Sequence, residues 1–496
     1  MLRTISPQDM QEMERAFMDG TQYPSILLME HAAQAVVREL CALVEPGARV
    51  LFVCGGGNNG GDGCAAARLY MQRGGKADVW LLRNPRQMKG DAGVNACLLN
   101  ACGANVNVIY GEAPEIAPDC AAIVDALFGT GLSREMEGAA LGAARAMNES
   151  GLPVLAVDIP SGVCAATGRA LGEAVRADVT VTFHRPKHGH MLYPGRELSG
   201  RLVIEDIGIL PDWDGAEGYE ILEEQDARAL LPARPQNGHK GTFGHVLAVA
   251  GSEGMAGAAC LCAKAALLSG SGLVTAACPY PVQLPLQLNV PCAMARAVSD
   301  GAAISARAKE KLRALMEGKD ALAIGPGLGV SEDTWRAVSP LVACDLPKAV
   351  DADALNMLAR YSGQVGKNTV LTPHPGEMAR LCEVSVAEVI ASPVEYAREL
   401  SRLTGAVVLL KGATTVIAQG EDAALNITGC DAMATGGSGD VLCGMIASLM
   451  AQGMSPFDAA RAGAYYHGRA GEAAAKEKGA RAVTAQAICE HLRIGE

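Results

Sequence analysis

This sequence of 496 residues has few aromatic side chains, no long apolar runs and no excess of positive charge. No apolar run approaches the roughly 18 uncharged residues that a membrane-spanning helix requires, so we expect no membrane span. The first ten residues contain no apolar signal core, which favours a cytoplasmic protein over an exported one. A formal net charge of −12 argues against nucleic acid as a partner, because a phosphate backbone is normally bound by a basic surface.

Paired metal-binding cysteines and the usual nucleotide-binding signatures are also missing. The 16 cysteines are scattered and none forms a C-x-x-C pair, so we expect reduced thiols rather than disulfides or a zinc site. The sequence has no G-x-x-x-x-G-K-[ST] motif, and no G-x-G-x-x-G motif in its usual place. Phosphate-loop hydrolysis and hydride transfer therefore gain no support.

The chain is instead rich in small apolar residues. Hydrophobic residues make up 49% of it and aromatic ones only 4%, with 58 glycines, a composition typical of an α/β enzyme. Its length suits two domains, and we place the first at residues 1–212, a linker at 213–226 and the second at 227–496.

Short β-rich runs alternate with helical stretches in both halves, which predicts mostly parallel sheets covered on both faces. A helical stretch is predicted at 64–72, after the first strand. The predicted strands are residues 49–54, 77–82, 121–126, 153–158 and 179–183 in the first half, and 245–250, 273–277, 321–325, 348–350, 369–372 and 406–411 in the second.

A glycine-rich segment at 55–63 follows the first predicted strand. Its glycines permit a tight turn from strand to helix, and the helix offers unpaired N–H groups to a phosphate. A structural loop without a ligand is the alternative. Asn58, Asn59 and Asp62, however, add amide groups and a carboxylate, so the segment predicts a nucleotide-like site.

Asp125 and Asp158 each end a predicted strand and precede a turn. Ligands of parallel sheets bind beyond the carboxyl ends of the strands, so we expect both carboxylates near the glycine-rich segment. Helix capping by Asp and turn closure by Ser-Gly are the structural alternatives. Asn59, Asp125 and Ser161 together offer oxygen ligands for a hard cation, and a single carboxylate suits a monovalent ion better than a divalent one.

Three histidines and Lys187 lie in the segment 183–190. The histidines share no obvious face, and no acidic residue stands near them in the sequence. We therefore interpret this segment as a structural or phosphate-adjacent loop rather than a metal site.

In combination, the motifs at 57–63, 125–131 and 157–162 resemble the NAD(P)H-hydrate epimerase family, over roughly residues 1–212. The resemblance implies a Rossmann-like domain in which Asp158 takes part in acid–base chemistry at C6 of the hydrated ring, with hydroxide loss and return as an alternative. It also implies a potassium ion bound by Asn59, Asp125 and Ser161. The residues implied to contact the hydrate are Asn58, Asn59, Gly60, Gly61, Asp62, Gly129, Thr130, Gly131, Leu132, Ser133, Arg134, Glu135 and Asp158.

A second glycine-rich segment, 434–444, precedes an apolar helical stretch and so lies at a helix N-terminus. Its N–H groups can stabilise charge on a transferring phosphoryl group, while Asp440 can accept the proton of an attacking hydroxyl. A plain glycine-rich cap explains the loop but not the carboxylate. Lys411 ends an apolar strand, where it either holds a nucleotide or is simply solvated, and two prolines position His374.

Together with 239–241, 248–252, 325–329 and 351–356, these motifs resemble the ADP-dependent NAD(P)H-hydrate dehydratase family, whose fold is ribokinase-like. The resemblance covers nearly the whole second half and implies that Asp440 is the catalytic group at the reacting hydroxyl, with ADP as co-substrate and Mg²⁺ bound with it. Asp351 and Asp353 either assist or merely end a strand. The resemblance implies hydrate binding by Ala258, Gly327, Gly329, His374 and Asp440, and nucleotide binding by Lys411, Gly412, Ala413, Thr414, Thr415 and Gly439.

We therefore expect a bifunctional metabolite-repair enzyme built from two three-layer α/β/α domains. Its substrates would be the hydrates of NADH and NADPH (NADHX and NADPHX), and we expect a homo-oligomer. A ribokinase-type kinase for a vitamin precursor, with an amino-terminal regulatory domain, is the main alternative. A nucleotide-binding interaction module in place of the first enzyme is another. Asp125 and Asp158 argue against a mere regulator, which would not need these carboxylates.

Overall fold

The structure is a computed structural model that describes residues 1–215 and 217–495. It divides into two compact units, an amino-terminal unit of residues 3–219 and a carboxy-terminal unit of residues 220–496 with residues 1–2. The predicted linker includes Ala216 and the predicted second domain includes Glu496, and both of these residues lie outside the described part of the chain. Strand Glu220–Ile221 falls in the span predicted as a linker, and helix Glu224–Ala229 begins there and continues into the predicted second domain.

The amino-terminal unit contains a seven-stranded parallel sheet. Numbered along the chain, its strands lie in the order 3-2-1-4-5-6-7, which extends the order of dinucleotide-binding sheets by one strand. The order reverses between the first and fourth strands, where such sheets open a crevice. In spatial order the strands are Asn105–Val108, Lys76–Leu81, Arg49–Cys54, Cys120–Ala126, Val154–Val157, Val179–Phe183 and Arg201–Glu205.

Alternate residues of strand Arg49–Cys54 pack into different cores, which explains why the strand is apolar throughout. Val50 and Phe52 belong to one hydrophobic cluster, whereas Leu51 and Val53 belong to another. Because successive side chains of a strand point to opposite faces, both faces of this sheet are buried.

The helices of this unit are Pro7–Thr21, Ser25–Leu43, Asn58–Gln72, Gly90–Ala101, Gly138–Glu149 and Gly195–Leu198.

Helix Pro7–Thr21 has a well-defined start that follows from its sequence. The Ser6 hydroxyl accepts a hydrogen bond from the Asp9 N–H (3.0 Å), and Pro7 occupies the first helical position. Met10, Met13 and Phe17 are buried on one side of the helix. This packing fixes the helix against the unit.

The carboxy-terminal unit contains an eleven-stranded sheet. Its first seven strands in space are parallel and repeat the order 3-2-1-4-5-6-7, and an antiparallel pair then extends the sheet. In spatial order the strands are Met294–Ser299, Leu273–Pro279, His245–Val249, Ala321–Ile324, Lys348–Val350, Thr369–Leu371, Val407–Leu410, Thr415–Gln419, Asp422–Asn426, Glu220–Ile221 and Leu2–Arg3.

Helix Ser438–Ala451 is central to this unit, and every residue from 441 to 451 is buried. A helix that is apolar on all sides is expected to lie inside a protein. It packs closely on helix Ala256–Leu268, since a Cβ on Gly444 would lie 2.1 Å from the Cys262 carbonyl oxygen. The other helices are Glu224–Ala229, Tyr280–Asn289, Lys309–Leu315, Glu332–Val342, Asp353–Tyr361, Pro375–Cys382, Val386–Ala391, Pro393–Thr404, Pro456–Lys478 and Ala485–Glu490.

The predicted α/β architecture is confirmed, and each predicted strand overlaps an observed one. Among the parallel strands of the two arrays, three were not predicted, and each lies at an edge of its array: Asn105–Val108, Arg201–Glu205 and Met294–Ser299. Edge strands are covered less completely, so their sequences mix polar with apolar residues and lose the signal of a buried strand. Of the helices in the described chain, none combines the length and apolarity needed to cross a bilayer.

Candidate active sites

The first glycine-rich segment joins strand Arg49–Cys54 to helix Asn58–Gln72. The helix begins at Asn58, earlier than the predicted start at Cys64, so Asn58, Asn59 and Asp62 lie in its first turns rather than in a loop. Gly57 is the N-cap residue, and within this described segment no side chain caps the helix. Its first N–H groups are therefore available to an anionic ligand.

Gly60 and Gly61 serve the packing of this junction. A Cβ on Gly60 would lie 1.9 Å from the Gly55 carbonyl oxygen, and one on Gly61 would lie 2.7 Å from Ala92 Cα. The Gly61 N–H already donates to the Gly57 carbonyl (3.0 Å). Both glycines are buried, so they bring the helix close to its neighbours and shape the site from behind.

A cavity of about 550 Å³ opens beside this segment, a volume in the range of small-molecule sites. The turn 129–132, which the family resemblance assigns to the substrate, lines it. Ser133, Arg134 and Glu135 are exposed, and the Glu135 side chain lies against Gly172. The polar and charged side chains lining the cavity include Gln11, Glu14, Asn58, Asn59, Asp62, Asp91, Asp158 and Lys187.

Asp125 and Ser161 meet at the carboxyl edge of the sheet. The Asp125 carboxylate accepts hydrogen bonds from the Ser161 hydroxyl (2.6 Å), the Ser161 N–H (2.8 Å) and the Leu127 N–H (3.2 Å). Burial raises the pKa of Asp125 to about 6, although these hydrogen bonds oppose the shift. The Asn59 amide lies against Gly129, and its nitrogen is buried with no hydrogen-bond partner in the described chain.

Asp158 forms an ion pair with Lys187 at the same edge. The Lys187 ammonium donates to the Asp158 carboxylate (2.6 Å), the Thr182 hydroxyl (2.9 Å) and the Phe183 carbonyl (3.2 Å). Asp158 has a left-handed backbone conformation, with φ at 64°, which a non-glycine residue adopts only at a cost. The His190 ring bonds the Asp158 carbonyl (2.9 Å), and burial lowers the pKa of His190 to about 4, so this ring is neutral.

Two further carboxyl groups line the cavity beside this ion pair. Burial, with the negative charges of Asp158 and Glu14, raises the pKa of Asp62 well above its ordinary value. Burial likewise raises the pKa of Glu14 to about 7, although Lys187 opposes the shift. The cavity therefore combines an ion-paired carboxylate with two carboxyl groups that hold protons more tightly than usual.

The segment 183–190, predicted as a structural or phosphate-adjacent loop, has acidic partners in space that its sequence does not show. Lys187 is fully buried and lines the cavity, and acidic partners do stand near: His184 Nε2 lies 3.3 Å from Asp214. The sequence missed these partners because they are brought in from other elements. A lysine four residues after the end of strand Val179–Phe183 was the available signal for Lys187, whereas nothing marked Glu14.

Asp440 lies in the first turn of helix Ser438–Ala451, which begins within the segment 434–444 rather than after it as the sequence predicts. The N-cap residue Gly437 has φ at 92°, a left-handed conformation that favours glycine. Burial raises the pKa of Asp440 to about 7, with further contributions from Asp351, while Lys411 opposes the shift. Asp440 is thus a half-buried carboxyl group that changes charge near neutral pH.

Lys411 forms an ion pair with Asp351 beside this helix N-terminus. The ammonium lies 2.7 Å from the Asp351 carboxylate and 3.9 Å from Glu377. Burial alone would lower the pKa of Lys411, but these two carboxylates raise it above its ordinary value. A Cβ on Gly439 would lie 3.1 Å from both Lys411 Nζ and Asp351 Oδ2, so the missing side chain of Gly439 leaves room for the ion pair.

The loop 325–329 brings other predicted residues together. A Cβ on Gly327 would lie 2.9 Å from the Ala258 side chain, so these two residues are in close contact, as expected for one subsite. The Gly329 N–H donates to the Asp353 carboxylate (2.8 Å). Gly325 has φ at 128° and lies against the Asp351 carbonyl, which fixes the loop beside the Lys411 ion pair.

His374 is the N-cap of helix Pro375–Cys382 and is half exposed. Its Nδ1 accepts from the Gly376 N–H (3.0 Å), which leaves the proton of a neutral ring on Nε2, 3.4 Å from Glu377. Burial and Lys411 lower the pKa of His374, which favours that neutral ring. His374 is therefore suited to donate a hydrogen bond.

The segment Lys411 to Thr415 is open to solvent at Gly412 and Ala413, while Thr414 and Thr415 are half-buried. Sequence reasoning missed two neighbours of this site. Burial raises the pKa of Glu377 to about 7, and burial with Lys411 lowers the pKa of His467 to about 4, so the His467 ring is neutral. His467 lies 3.4 Å from the Ser438 hydroxyl of the glycine-rich segment.

Both halves of the chain match known families. A family model described as NAD(P)H-hydrate dehydratase matches residues 246–493, and one described as YjeF-related protein N-terminus matches residues 25–189. A protein named bifunctional NAD(P)H-hydrate repair enzyme from Moorella thermoacetica is 40% identical, covering 98% of this chain and 95% of its own. The protein of the same name from Escherichia coli is 35% identical, covering 94% and 88%.

Solved structures resemble the carboxy-terminal half. The ADP/ATP-dependent NAD(P)H-hydrate dehydratase from Bacillus subtilis, co-crystallised with ATP and Mg²⁺, is 34% identical with a TM-score of 0.50, covering 55% of this chain and 96% of that one. A ribokinase-like superfamily protein from Enterococcus faecalis is 25% identical with a TM-score of 0.50, covering 55% and 94%. These likenesses agree with the ribokinase-like fold predicted for this half.

Proposed function

This chain belongs to the bifunctional NAD(P)H-hydrate repair enzymes, and we propose that it repairs hydrated NADH and NADPH in two steps, one in each unit. The amino-terminal unit interconverts the R and S hydrates, and the carboxy-terminal unit dehydrates the S form with ADP, giving NAD(P)H, AMP and phosphate. The two activities complement each other, because a dehydratase alone would leave the other epimer unrepaired. We retain a cytoplasmic location and a homo-oligomeric assembly as predictions.

In the amino-terminal unit, we assign the hydrate to the 550 Å³ cavity. Asn58 and the free N–H groups of the helix start bind its phosphates, and the turn 129–132 borders it. Asp158, held by Lys187 at 2.6 Å, then faces the reacting ring and takes part in acid–base chemistry at C6. The other proposed contacts are Asn59 and Asp62, with Gly60 and Gly61 behind them, and Ser133, Arg134 and Glu135 beyond the turn.

The proposed potassium site fits the donor groups present. Asp125 supplies one carboxylate and Ser161 one hydroxyl, joined at 2.6 Å, and the buried Asn59 amide nitrogen lacks a partner in the described chain. Turning this amide would put its carbonyl oxygen there as the third ligand, neutral like the Ser161 hydroxyl. A bound K⁺ would offset local negative charge.

Asp125→Asn should abolish both K⁺-dependent epimerisation and the rise in melting temperature when K⁺ replaces Li⁺. An unchanged K⁺ response would refute the assignment.

In the carboxy-terminal unit, Asp440 accepts the proton of the C6 hydroxyl, whose oxygen attacks the terminal phosphorus of ADP and displaces AMP. The ring nitrogen lone pair then expels phosphate as the C6–O bond breaks, and loss of a proton from the adjacent ring carbon gives NAD(P)H. Lys411 and the N-terminus of helix Ser438–Ala451 stabilise the charge on the transferring phosphoryl group. Ala258, Gly327, Gly329 and His374 bind the hydrate.

Residues 411–415 and Gly439 bind the nucleotide in this proposal. The described chain holds no group of three or more His, Cys, Asp or Glu side chains placed to bind a metal ion. Mg²⁺ does not need such a group, because it is usually held by substrate phosphates, waters and one or two carboxylates. Asp351, which pairs with Lys411, and Asp353 would supply the carboxylates. When bound, Mg²⁺ would neutralise phosphate charge.

The position of Asp440 is the main support for this proposal. Asp440 is a half-buried carboxyl group at a helix N-terminus beside the Lys411–Asp351 pair, so a base lies next to a site suited to phosphate. We would follow the near-ultraviolet absorbance of reduced nicotinamide in a mixture of R and S NADPH hydrates with ADP, Mg²⁺ and K⁺. Recovery of nearly all the cofactor supports both activities, and recovery that stops at the S fraction excludes the epimerase. No recovery with ADP or ATP would favour the small-molecule kinase instead.

A further inference from the structure

Glu14 is the one carboxyl group that reaches the amino-terminal cavity from helix Pro7–Thr21. Met10, Gln11 and Met18 of the same helix also line the cavity, so this face of the helix forms a wall of it. The other charged groups of the cavity are Asp62, Asp91, Asp158 and Lys187, which come from other elements. Helix Pro7–Thr21 precedes residues 25–189 that the family model matches, so nothing in the match assigns a role to Glu14.

Epimerisation by loss and return of water needs two proton-transfer groups. One must donate a proton to the departing hydroxyl on one face of the ring, and the other must take a proton from water that arrives on the opposite face. Asp158 is bound to the ammonium of Lys187 at 2.6 Å, which keeps it as the acceptor. The donor must therefore be a different group.

We propose that Glu14 is the second acid–base residue of the epimerase, facing the ring from helix Pro7–Thr21 while Asp158 faces it from the sheet. This inference rests on the proposed epimerase function. Glu14 donates its proton to the C6 hydroxyl, the C6–O bond breaks and water leaves with the electron pair. The ring nitrogen lone pair forms the N1=C6 double bond, water adds to C6 from the other face, and Asp158 takes the proton that this water loses.

The surroundings of Glu14 suit a proton donor. Glu14 is half-buried, and desolvation raises its pKa to about 7, so a large share of it is protonated at neutral pH. Asp158 adds to this shift, whereas Lys187 opposes it. Because the protonated form is lost as the pH rises past about 7, the rate of epimerisation should fall on the alkaline side.

The test compares Glu14→Gln with Glu12→Gln, a matched change at an exposed position on the same helix. Interconversion of purified R and S NADPH hydrates is followed by chromatography without ADP, so dehydration cannot occur. For Glu14→Gln we expect kcat to fall by roughly a hundredfold, with KM within about threefold and the alkaline fall in rate abolished. Glu12→Gln should match the wild type, and Glu14→Asp should recover part of the rate.

An unchanged kcat and pH profile in Glu14→Gln would overturn the inference, as would a rise in KM alone. Circular dichroism and thermal unfolding check the fold, and Glu14→Asp replaces Glu14→Gln as the test variant if the latter does not fold. In that case, a rate for Glu14→Asp equal to the wild type with an unshifted pH profile counts against Glu14. If the wild type itself does not interconvert the hydrates, the proposed epimerase fails rather than the role of Glu14.

Discussion

Each unit holds a lysine–aspartate ion pair at the carboxyl edge of its parallel sheet. In one pair the aspartate is the more exposed partner, and in the other it is the lysine. In the amino-terminal unit, the Lys187 side chain is 2% exposed and that of Asp158 14%. In the carboxy-terminal unit, Lys411 is 22% exposed and Asp351 only 1%. The first pair therefore presents a carboxylate to its site, whereas the second presents an ammonium.

This difference matches the chemistry proposed for each unit. A carboxylate anchored by a buried lysine can exchange protons with a neutral ring, and it would repel a phosphoryl group placed against it. An ammonium anchored by a buried aspartate attracts the transferring phosphoryl group. Although the two sheets share the strand order 3-2-1-4-5-6-7, the orientation of the ion pair separates the two functions.

Removing Asp440 should have the largest effect, and on one unit only. Asp440→Ala deletes the proposed base and should lower the rate of dehydration about a thousandfold, while R and S hydrates still interconvert. Absorbance of reduced nicotinamide measures the first activity and chromatography the second. Asp422→Asn, at an exposed strand position, is the control and should match the wild type. Equal losses in both activities would contradict a division of labour between the units.

Replacing Lys411 or Lys187 should have the next largest effect, and each replacement should change the activity of its own unit only. Lys411→Met should raise the KM for ADP at least tenfold and, by leaving buried Asp351 unpaired, destabilise its unit by about 3 kcal/mol. Adding Asp351→Asn should restore the melting temperature but not the KM, because the ammonium that contributes to phosphate binding is still missing. Lys187→Met should lower epimerase turnover about a hundredfold without changing the KM for ADP. A raised KM for ADP in Lys187→Met would contradict the view that the two ion pairs serve different reactions.

The pH dependence of dehydration should show the titration of Asp440. Because the pKa of Asp440 is raised to about 7, this base is ionised above pH 7 and becomes protonated below it. With a base required, kcat/KM for dehydration should fall tenfold for each pH unit below about 6.5. Steady-state rates between pH 5 and pH 9, at a saturating nucleotide concentration, measure this. A rate that is flat down to pH 5 would exclude Asp440 as the titrating base.

Gly439→Ala should have the smallest effect and test the geometry of the second pair. The added methyl group would lie 3.1 Å from both Lys411 Nζ and Asp351 Oδ2, so the ammonium must shift by a few tenths of an ångström. We expect the KM for ADP to rise about threefold to tenfold. Gly436→Ala in the same segment meets nothing within 4 Å in the described chain and should behave like the wild type. Equal effects of the two substitutions would argue against steric pressure on the ion pair.

The glycine-rich segments and strand-end carboxylates were predictable because they are local patterns. A strand that ends at Cys54 or Ala126 puts the next polar residues at the edge of a parallel sheet, whatever the rest of the chain does. The predicted start of the helix at Cys64 was wrong because Asn58 to Gly63 read as a loop. In the structure they form the first turns of the helix, which packs through its glycines against neighbouring elements.

The sequence by itself determined the two α/β units, the edge of each sheet that carries the site and most of the polar residues there, because strand periodicity and turn chemistry act over a few neighbouring residues. Only the tertiary structure decided that Lys187 meets Asp158 across 29 residues and Lys411 meets Asp351 across 60. It also placed Glu14 in the first cavity and raised the pKa of Asp440. Ion pairing and desolvation depend on distances and burial that exist only after the chain has folded.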